Sequence, residues 1–146
     1  MPEVKKLVLI EHSASRMFEL VDRVEDYPRF LPWCGGTELL QRTEAITVAR
    51  IHINYHGIKT DFSTENDKVF PTHMLIKLLD GPFRHLEGTW NFTPLGETAC
   101  KIQFGLHYEF AHKLLEKALG PVFHHIANTF VDSFVKRAEL SAGKNA

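Results

Sequence analysis

The chain has 146 residues, 44% of them hydrophobic and 24% charged, with a formal net charge of −1. Length and composition are those of one globular domain, residues 1–146, long enough to bury a core without staples, and they exclude a disordered chain. The near-zero charge excludes a global field that would drive binding to DNA or to an anionic membrane, and leaves only a local basic patch open.

The elements follow in chain order. Val4 to Glu11 reads as a strand, with Val4, Leu7, Val8, Leu9 and Ile10 supplying β-type bulk. Ser13 is the expected N-cap of a short helix whose buried stripe is Met17, Leu20, Val21 and Val24. Asp26 to Phe30 reads as another helical turn with Pro28 in its first turn, and Leu31 to Gly36 as a loop, because Pro32 and two glycines break regular structure. Leu31 and Trp33 are large apolar side chains for a loop, so they either plug the underside of the domain or line the mouth of a pocket.

The next eighty residues alternate. Thr37 to Arg42, Ala45 to His56, Lys59 to Lys68, Thr72 to Leu79, Arg84 to Pro94 and Ala99 to Phe110 are predicted strands. Ile51, Ile53 and Tyr55 share one face of the second of these, against His52, Asn54 and His56; Thr60, Phe62 and Thr64 share a face of the third. The period of two is cleanest in the last two strands. Leu86, Gly88, Trp90 and Phe92 point inward in one, and Cys100, Ile102, Phe104, Leu106, Tyr108 and Phe110 in the other. Gly88, an inward position without a side chain, marks a bend or reserved space.

Lys113 to Ser141 is the last and longest element. Leu115, Leu119, Val122, Ile126, Phe130 and Phe134 recur at three- and four-residue steps, flanked by Leu114, Ala118, Phe123, Ala127, Val131 and Ala138. This predicts a core helix roughly 40 Å long, at about 1.5 Å per residue. Gly120-Pro121 interrupts it, and Pro121 cannot donate to the carbonyl of Lys117, so a bend is expected there. His112 stands at the N-cap and predicts weak capping; Ala142 to Ala146 reads as a frayed tail. The resulting order predicts an α+β fold, in which an antiparallel sheet has one face covered by the C-terminal helix and an apolar cavity lies between them.

Chemistry is harder to find. His52 and His56 stand about 13 Å apart at roughly 3.3 Å per residue, too far for one zinc, and His124 and His125 diverge on a helix; no metal is expected. No nucleotide-binding or nucleophile-elbow motif occurs. Cys34 has no histidine placed beside it and reads as a buried thiol; with Cys100 it predicts free thiols in a reducing compartment. The inward sheet positions hold almost no acids or bases, so no catalytic residue and no enzyme activity is expected. The apolar run in MPEVKKLVLIEHS is too short for a signal peptide or a membrane span, and the expected location is the cytoplasm, at most peripheral to the inner face of a membrane.

Two stretches carry a resemblance. Tyr27-Pro-Arg-Phe-Leu-Pro-Trp-Cys34 and Asp80-Gly-Pro-Phe-Arg-His-Leu-Glu-Gly-Thr-Trp-Asn-Phe-Thr-Pro94, with Ser133 to Ala138 near the end, resemble the signature stretches of the coenzyme Q-binding START-type proteins. That resemblance implies a helix-grip fold, a curved antiparallel sheet of about seven strands wrapped on a long C-terminal helix with two short helices after the first strand. It also implies carriage of a polyprenyl quinone such as ubiquinone, in support of respiratory electron transport and quinone biosynthesis, with no bond made or broken. No covalent cofactor is implied.

Phe30, Leu31, Trp33, Phe83, Trp90 and Phe92 are the candidate cavity-lining residues from the loop and sheet. Phe104, Tyr108, Val122, Phe123, Ile126 and Phe130 complete the set from the last strand and the helix. A gate is expected at Leu31 to Trp33 and around Pro121. The alternative implied by the same resemblance is that of its bacterial, RatA-type toxin members, which bind the large ribosomal subunit and block subunit association. Such a partner needs a phosphate-facing basic surface, for which Lys5, Lys6, Arg42, Arg50, Lys59 and Lys136-Arg137 are the candidates. A third reading, polyketide cyclase or aromatase chemistry, rests on fold kinship alone and requires an acid or base inside the cavity. Transient contact with a membrane surface belongs to the lipid-carrier reading.

Overall fold

A computed structural model describes residues 3–144. In chain order the elements are β1 (Glu3–Ile10), α1 (Ala14–Asp22), a 3-10 helix (Val24–Arg29), β2 (Cys34–Arg42), β3 (Ile46–Tyr55), β4 (Ile58–Val69), β5 (His73–Asp80), β6 (Phe83–Pro94), β7 (Cys100–Phe110) and α2 (Lys113–Lys144). The seven strands form one antiparallel sheet in the order β1-β7-β6-β5-β4-β3-β2. Every connection but one is therefore a hairpin between neighbours. The exception is the helical segment after β1, which lets the first strand close onto the last, with Val4 opposite Leu106 and Val8 opposite Ile102. The curved sheet grips α2, the helix-grip arrangement expected from the resemblance.

Alternation decides which face is dry. Leu86, Gly88, Trp90 and Phe92 of β6 are buried, as are all six predicted inward residues of β7. α2 lays Phe123, Ile126, Ala127, Val131, Phe134 and Ala138 against that face. Leu114 and Ala118, by contrast, point to water, Leu114 at 72% exposure, because they sit on the outer face of turns whose Leu115 and Leu119 pack on the core.

Local chemistry sets the helix ends. The Ser13 hydroxyl accepts the Arg16 N–H at 3.1 Å, the expected N-cap of α1. His112 caps better than its residue type suggests. Its Nδ1 accepts the Leu115 N–H at 3.4 Å, and its carbonyl takes the Glu116 N–H. α2 runs unbroken through Gly120-Pro121, with Pro121 on the exposed side, and continues to Lys144, past the predicted end at Ser141. Residues 145 and 146 of the predicted tail lie outside the described residues.

Four further expectations change. The turn at Pro28 is a 3-10 helix that starts two residues earlier, at Val24, so Pro28 is not in its first turn. The loop is only Leu31 to Trp33. Cys34 already pairs with Ile53 and Gly36 with His52, and Gly35 bulges between them, where a Cβ would meet that of Asn54 at 2.9 Å. His56 is not on the β3 face with His52 but in the turn that follows, at φ 50° beside Gly57. Gly88 leaves no vacant space: a Cβ there would meet Leu106 Cδ1 at 3.0 Å and Ile76 Cδ1 at 3.2 Å, so the glycine admits those two side chains.

Candidate functional site

Between the sheet and α2 lies an apolar cavity of about 80 Å³. Its floor is Ile51 of β3, Phe62, Thr64 and Asn66 of β4, Ile76 of β5, Leu86 and Trp90 of β6, and Phe104 and Leu106 of β7. Phe123, Ile126, Ala127 and Phe130 of α2 form the roof, and Val24, Tyr27 and Trp33 close one side. Phe62, Ile76 and Phe130 are partly exposed, so the space opens to solvent past them.

Six of the twelve candidate residues meet here: Trp33, Trp90, Phe104, Phe123, Ile126 and Phe130. The other six do not line this cavity, each because nearer neighbours fill the space. Phe30 turns outward of Tyr27, packing on Phe134 at 5.3 Å under the guanidinium of Arg137. Leu31 is 1% exposed in the core, the plug of the two readings offered for it. Phe92 lies stacked on Trp90 at 5.7 Å, one layer farther down. Phe83 and Val122 border a separate crevice of about 10 Å³ with Phe110 and Leu119. Tyr108 packs on Phe123, and its hydroxyl lies 3.4 Å from His124 Nδ1. Of the segments expected to form a gate, Leu31 to Trp33 and the region around Pro121, Trp33 closes one side of the cavity, Leu31 is buried in the core and Pro121 borders a separate groove with Tyr108 and His124.

Sequence reading missed the polar residues of the cavity. Asn66 continues the Thr60-Phe62-Thr64 face by one more step of two, so parity alone could have found it. Tyr27 was hidden by its place in a short helical turn. Its hydroxyl donates to the Val21 carbonyl, and burial pushes its pKa far above the ordinary phenol value, so it stays protonated. Among the described residues, two buried side-chain atoms of residues in the lining have no partner, Trp33 Nε1 and Asn66 Oδ1. Among the described residues, no charged side chain lines the cavity. The thiols of Cys34 and Cys100 are free and buried, and burial raises both above the ordinary thiol range.

The side that carries Val24, Tyr27 and Trp33 is held by an ionic clasp. Asp22, at the end of α1, accepts the Thr47 hydroxyl at 2.6 Å and the Lys68 ammonium at 3.2 Å; Arg42 Nε lies 3.4 Å away without hydrogen-bond geometry. Arg42 forks onto Glu25 at 2.7 and 2.8 Å and donates to the Asp22 carbonyl. The Arg42 hydrogen bonds hold the Glu25 carboxyl at a pKa of about 2, against an ordinary 4.5. The folded value lies below the unfolded one. The pair therefore stabilises fully above about pH 4.5, and its contribution disappears as pH falls toward 2. The Glu25 side chain is 37% exposed, so screening reduces the contribution to about 1 kcal/mol. Thermal melts between pH 6 and 2 should show a stability loss that is smaller in Glu25→Gln by about this amount; parallel curves would remove the clasp from the acid response.

The chain matches the family model described as polyketide cyclase/dehydrase and lipid transport over residues 10–135. It is 40% identical over 139 residues to the ribosome association toxin RatA of Escherichia coli, covering 95% of this chain and 88% of that protein. The Vibrio cholerae protein of the same name is 39% identical over 144 residues, 99% of this chain and 100% of its own length. A mitochondrial coenzyme Q-binding protein homolog from Xenopus laevis is 27% identical over 99% of this chain and 57% of its own length. Among solved structures, a Streptomyces aromatase/cyclase superposes with a TM-score of 0.77 at 16% identity, over 94% of this chain and 93% of that one. An 18 kDa Caulobacter crescentus protein superposes with 0.73 at 25% identity, over 98% and 99%. No helix among the described residues is long and apolar enough to cross a membrane.

Proposed function

The chain belongs to the polyketide cyclase/dehydrase and lipid transport family, and within it we propose that it is a ribosome-association toxin that binds the large ribosomal subunit and blocks subunit association. The observation that carries this reading is the 40% identity to the Escherichia coli toxin over 95% of the chain, well above the 27% to the coenzyme Q-binding homolog. This reverses the order in which the resemblance alone ranked the two functions. Cavity size favours the same choice. At about 80 Å³ the cavity falls below the roughly 300–1,000 Å³ of pockets that hold drug-sized ligands.

Ribosome binding draws on cations that the fold leaves without a carboxylate. Lys5, Arg42 and Arg50 are each paired with carboxylates. Among the described residues, Lys6, Lys59 and Lys136 have none within 4 Å, and Arg137 lies over the Phe30 ring. Co-sedimentation with purified large subunits tests the reading. Binding is expected in 50 mM salt and should fall by at least tenfold at 200 mM, since cation–phosphate contacts release counterions. A protein left at the top of the gradient in 50 mM salt would overturn it.

A polyprenyl quinone is the second reading, supported by the coenzyme Q-binding homolog and by the aromatic walls of the cavity. It requires α2 to lift from the sheet so that the tail gains a trough. Ring-closing catalysis of the aromatase kind finds no carboxyl, imidazole or amine in the lining among the described residues, and the Tyr27 hydroxyl is engaged on the Val21 carbonyl.

A further inference from the structure

The two edges of the sheet are not alike. β2 is broken twice in its register with β3, between Cys34 and Gly36 and between Leu39 and Gln41, and Arg42 ties it to Glu25 and to the Asp22 carbonyl. Bulges and covering elements of this kind blunt an edge. β1 has neither. It pairs with β7 from Glu3 to Ile10 without a shift, contains no proline or glycine, and among the described residues makes no backbone hydrogen bond outside that pairing. Leu7 and Leu9, on its outer face, are 58% and 67% exposed. A regular, apolar, unpaired edge is a template for another strand.

The charges beside this edge select the strand. Between β1 and α2 runs an open groove lined by Val8 to His12 and by Asp132, Val135, Lys136 and Glu139. Among the described residues Glu11, Asp132 and Glu139 have no cation within 4 Å, so the groove sets three carboxylates against one lysine. Lys6 shares the inner face of β1 with Val4, Val8 and Ile10, and it has no carboxylate partner either. An inward-facing lysine ordinarily opposes strand addition; an acidic groove on the incoming chain removes that opposition. The basic half of β1 and the acidic groove beside its other half belong to one chain, and such self-complementarity is what a twofold interface requires.

We propose that β1 pairs antiparallel with β1 of a second copy, joining the two sheets about a twofold axis. Charge sets the register. An axis through Lys6 places lysine opposite lysine, and an axis through Leu7 places Glu3 opposite Glu11; like charges directly opposite are destabilising. An axis through Val8 places Val8 opposite Val8, Leu7 opposite Leu9, Lys5 opposite Glu11, and Lys6 opposite Ile10 at the acidic groove. The Lys5–Glu3 pair of the protomer, at 3.0 Å, is exposed to solvent and is readily exchanged. The dimer covers Lys6 and Lys136, two of the cations assigned to the ribosome, so the single protomer offers the full set to phosphate; the pairing itself does not rest on that reading.

Sedimentation equilibrium of the full chain from micromolar to millimolar concentration should show a reversible rise from 16.7 kDa toward twice that mass. Lys6→Glu turns a carboxylate toward the groove, and Leu9→Lys charges the exposed face. Each should raise the dissociation constant at least about tenfold, with circular dichroism and melting temperature still those of the folded domain. Val8→Cys should give a disulfide-linked dimer under mild oxidation, because paired strands bring opposed Cα atoms within about 4.5–5.5 Å. Lys5→Cys, at a more exposed position that does not oppose itself, should not; Cys34 and Cys100 are buried and stay out of the reaction. The proposal is overturned by a chain monomeric throughout, by a dimer that both surface variants leave intact, or by Val8→Cys cross-linking no better than Lys5→Cys.

Discussion

Asp22→Ala should cost about 3–5 kcal/mol of unfolding free energy, read from the urea midpoint at constant m-value. The size of the effect comes from what is left behind. The Lys68 side chain is 5% exposed and its ammonium has Asp22 as its carboxylate, at 3.2 Å; the Thr47 hydroxyl loses its partner in the same change. Removing the anion strands a buried cation, and a stranded charge costs far more than the pair contributed. The double variant Asp22→Ala with Lys68→Met should therefore be more stable than Asp22→Ala alone. If Lys68→Met adds to the damage instead, the cost arises from lost packing at the end of α1 and not from an uncompensated charge. The clasp also couples to the cavity, since it fixes the segment from which Val24, Tyr27 and Trp33 reach inward.

Trp90→Ala should cost a similar 3–5 kcal/mol for a different reason. The indole is 1% exposed and packs on Phe92, Phe104, Phe130 and Phe134 at 4.6–5.7 Å between centroids. Its loss removes apolar burial and leaves a void beside a cavity that already exists, which close-packed neighbours refill only in part. Trp90→Phe should recover more than half of the loss. Equal destabilisation by both would mean that the indole is held by its shape alone. A cavity enlarged in this way should also bind toluene more tightly than the wild type does.

The sheet could be read from the chain because its signal is local. In β6 and β7 each second residue is apolar over a full strand, and the same parity that predicts the strand names its buried residues. α2 was readable from the spacing of Ile126, Phe130 and Phe134 for the same reason. Parity does not say which inward residue faces empty space and which faces a neighbour. That is why Phe92 and Leu31 seemed equivalent to Trp90 and Trp33, although the first two are core and the second two border the cavity. Polar residues on an inward face carry weak pattern signal, so Asn66 escaped notice. The clasp joins residues that lie 17 to 46 positions apart, and no short pattern brings Asp22, Arg42 and Lys68 together. Function was the least accessible level. The resemblance carried by the signature stretches was compatible with a quinone carrier and with a ribosome-association toxin, and the weight shifted only when whole-chain identity favoured the second.

The most direct measurement is assembly of ribosomes from purified small and large subunits, followed by sucrose-gradient centrifugation, with and without a molar excess of the protein. Association toxicity predicts that the assembled-ribosome peak falls, free subunits accumulate and the protein travels with the large one. An undiminished assembled peak with the protein remaining at the top of the gradient would contradict it.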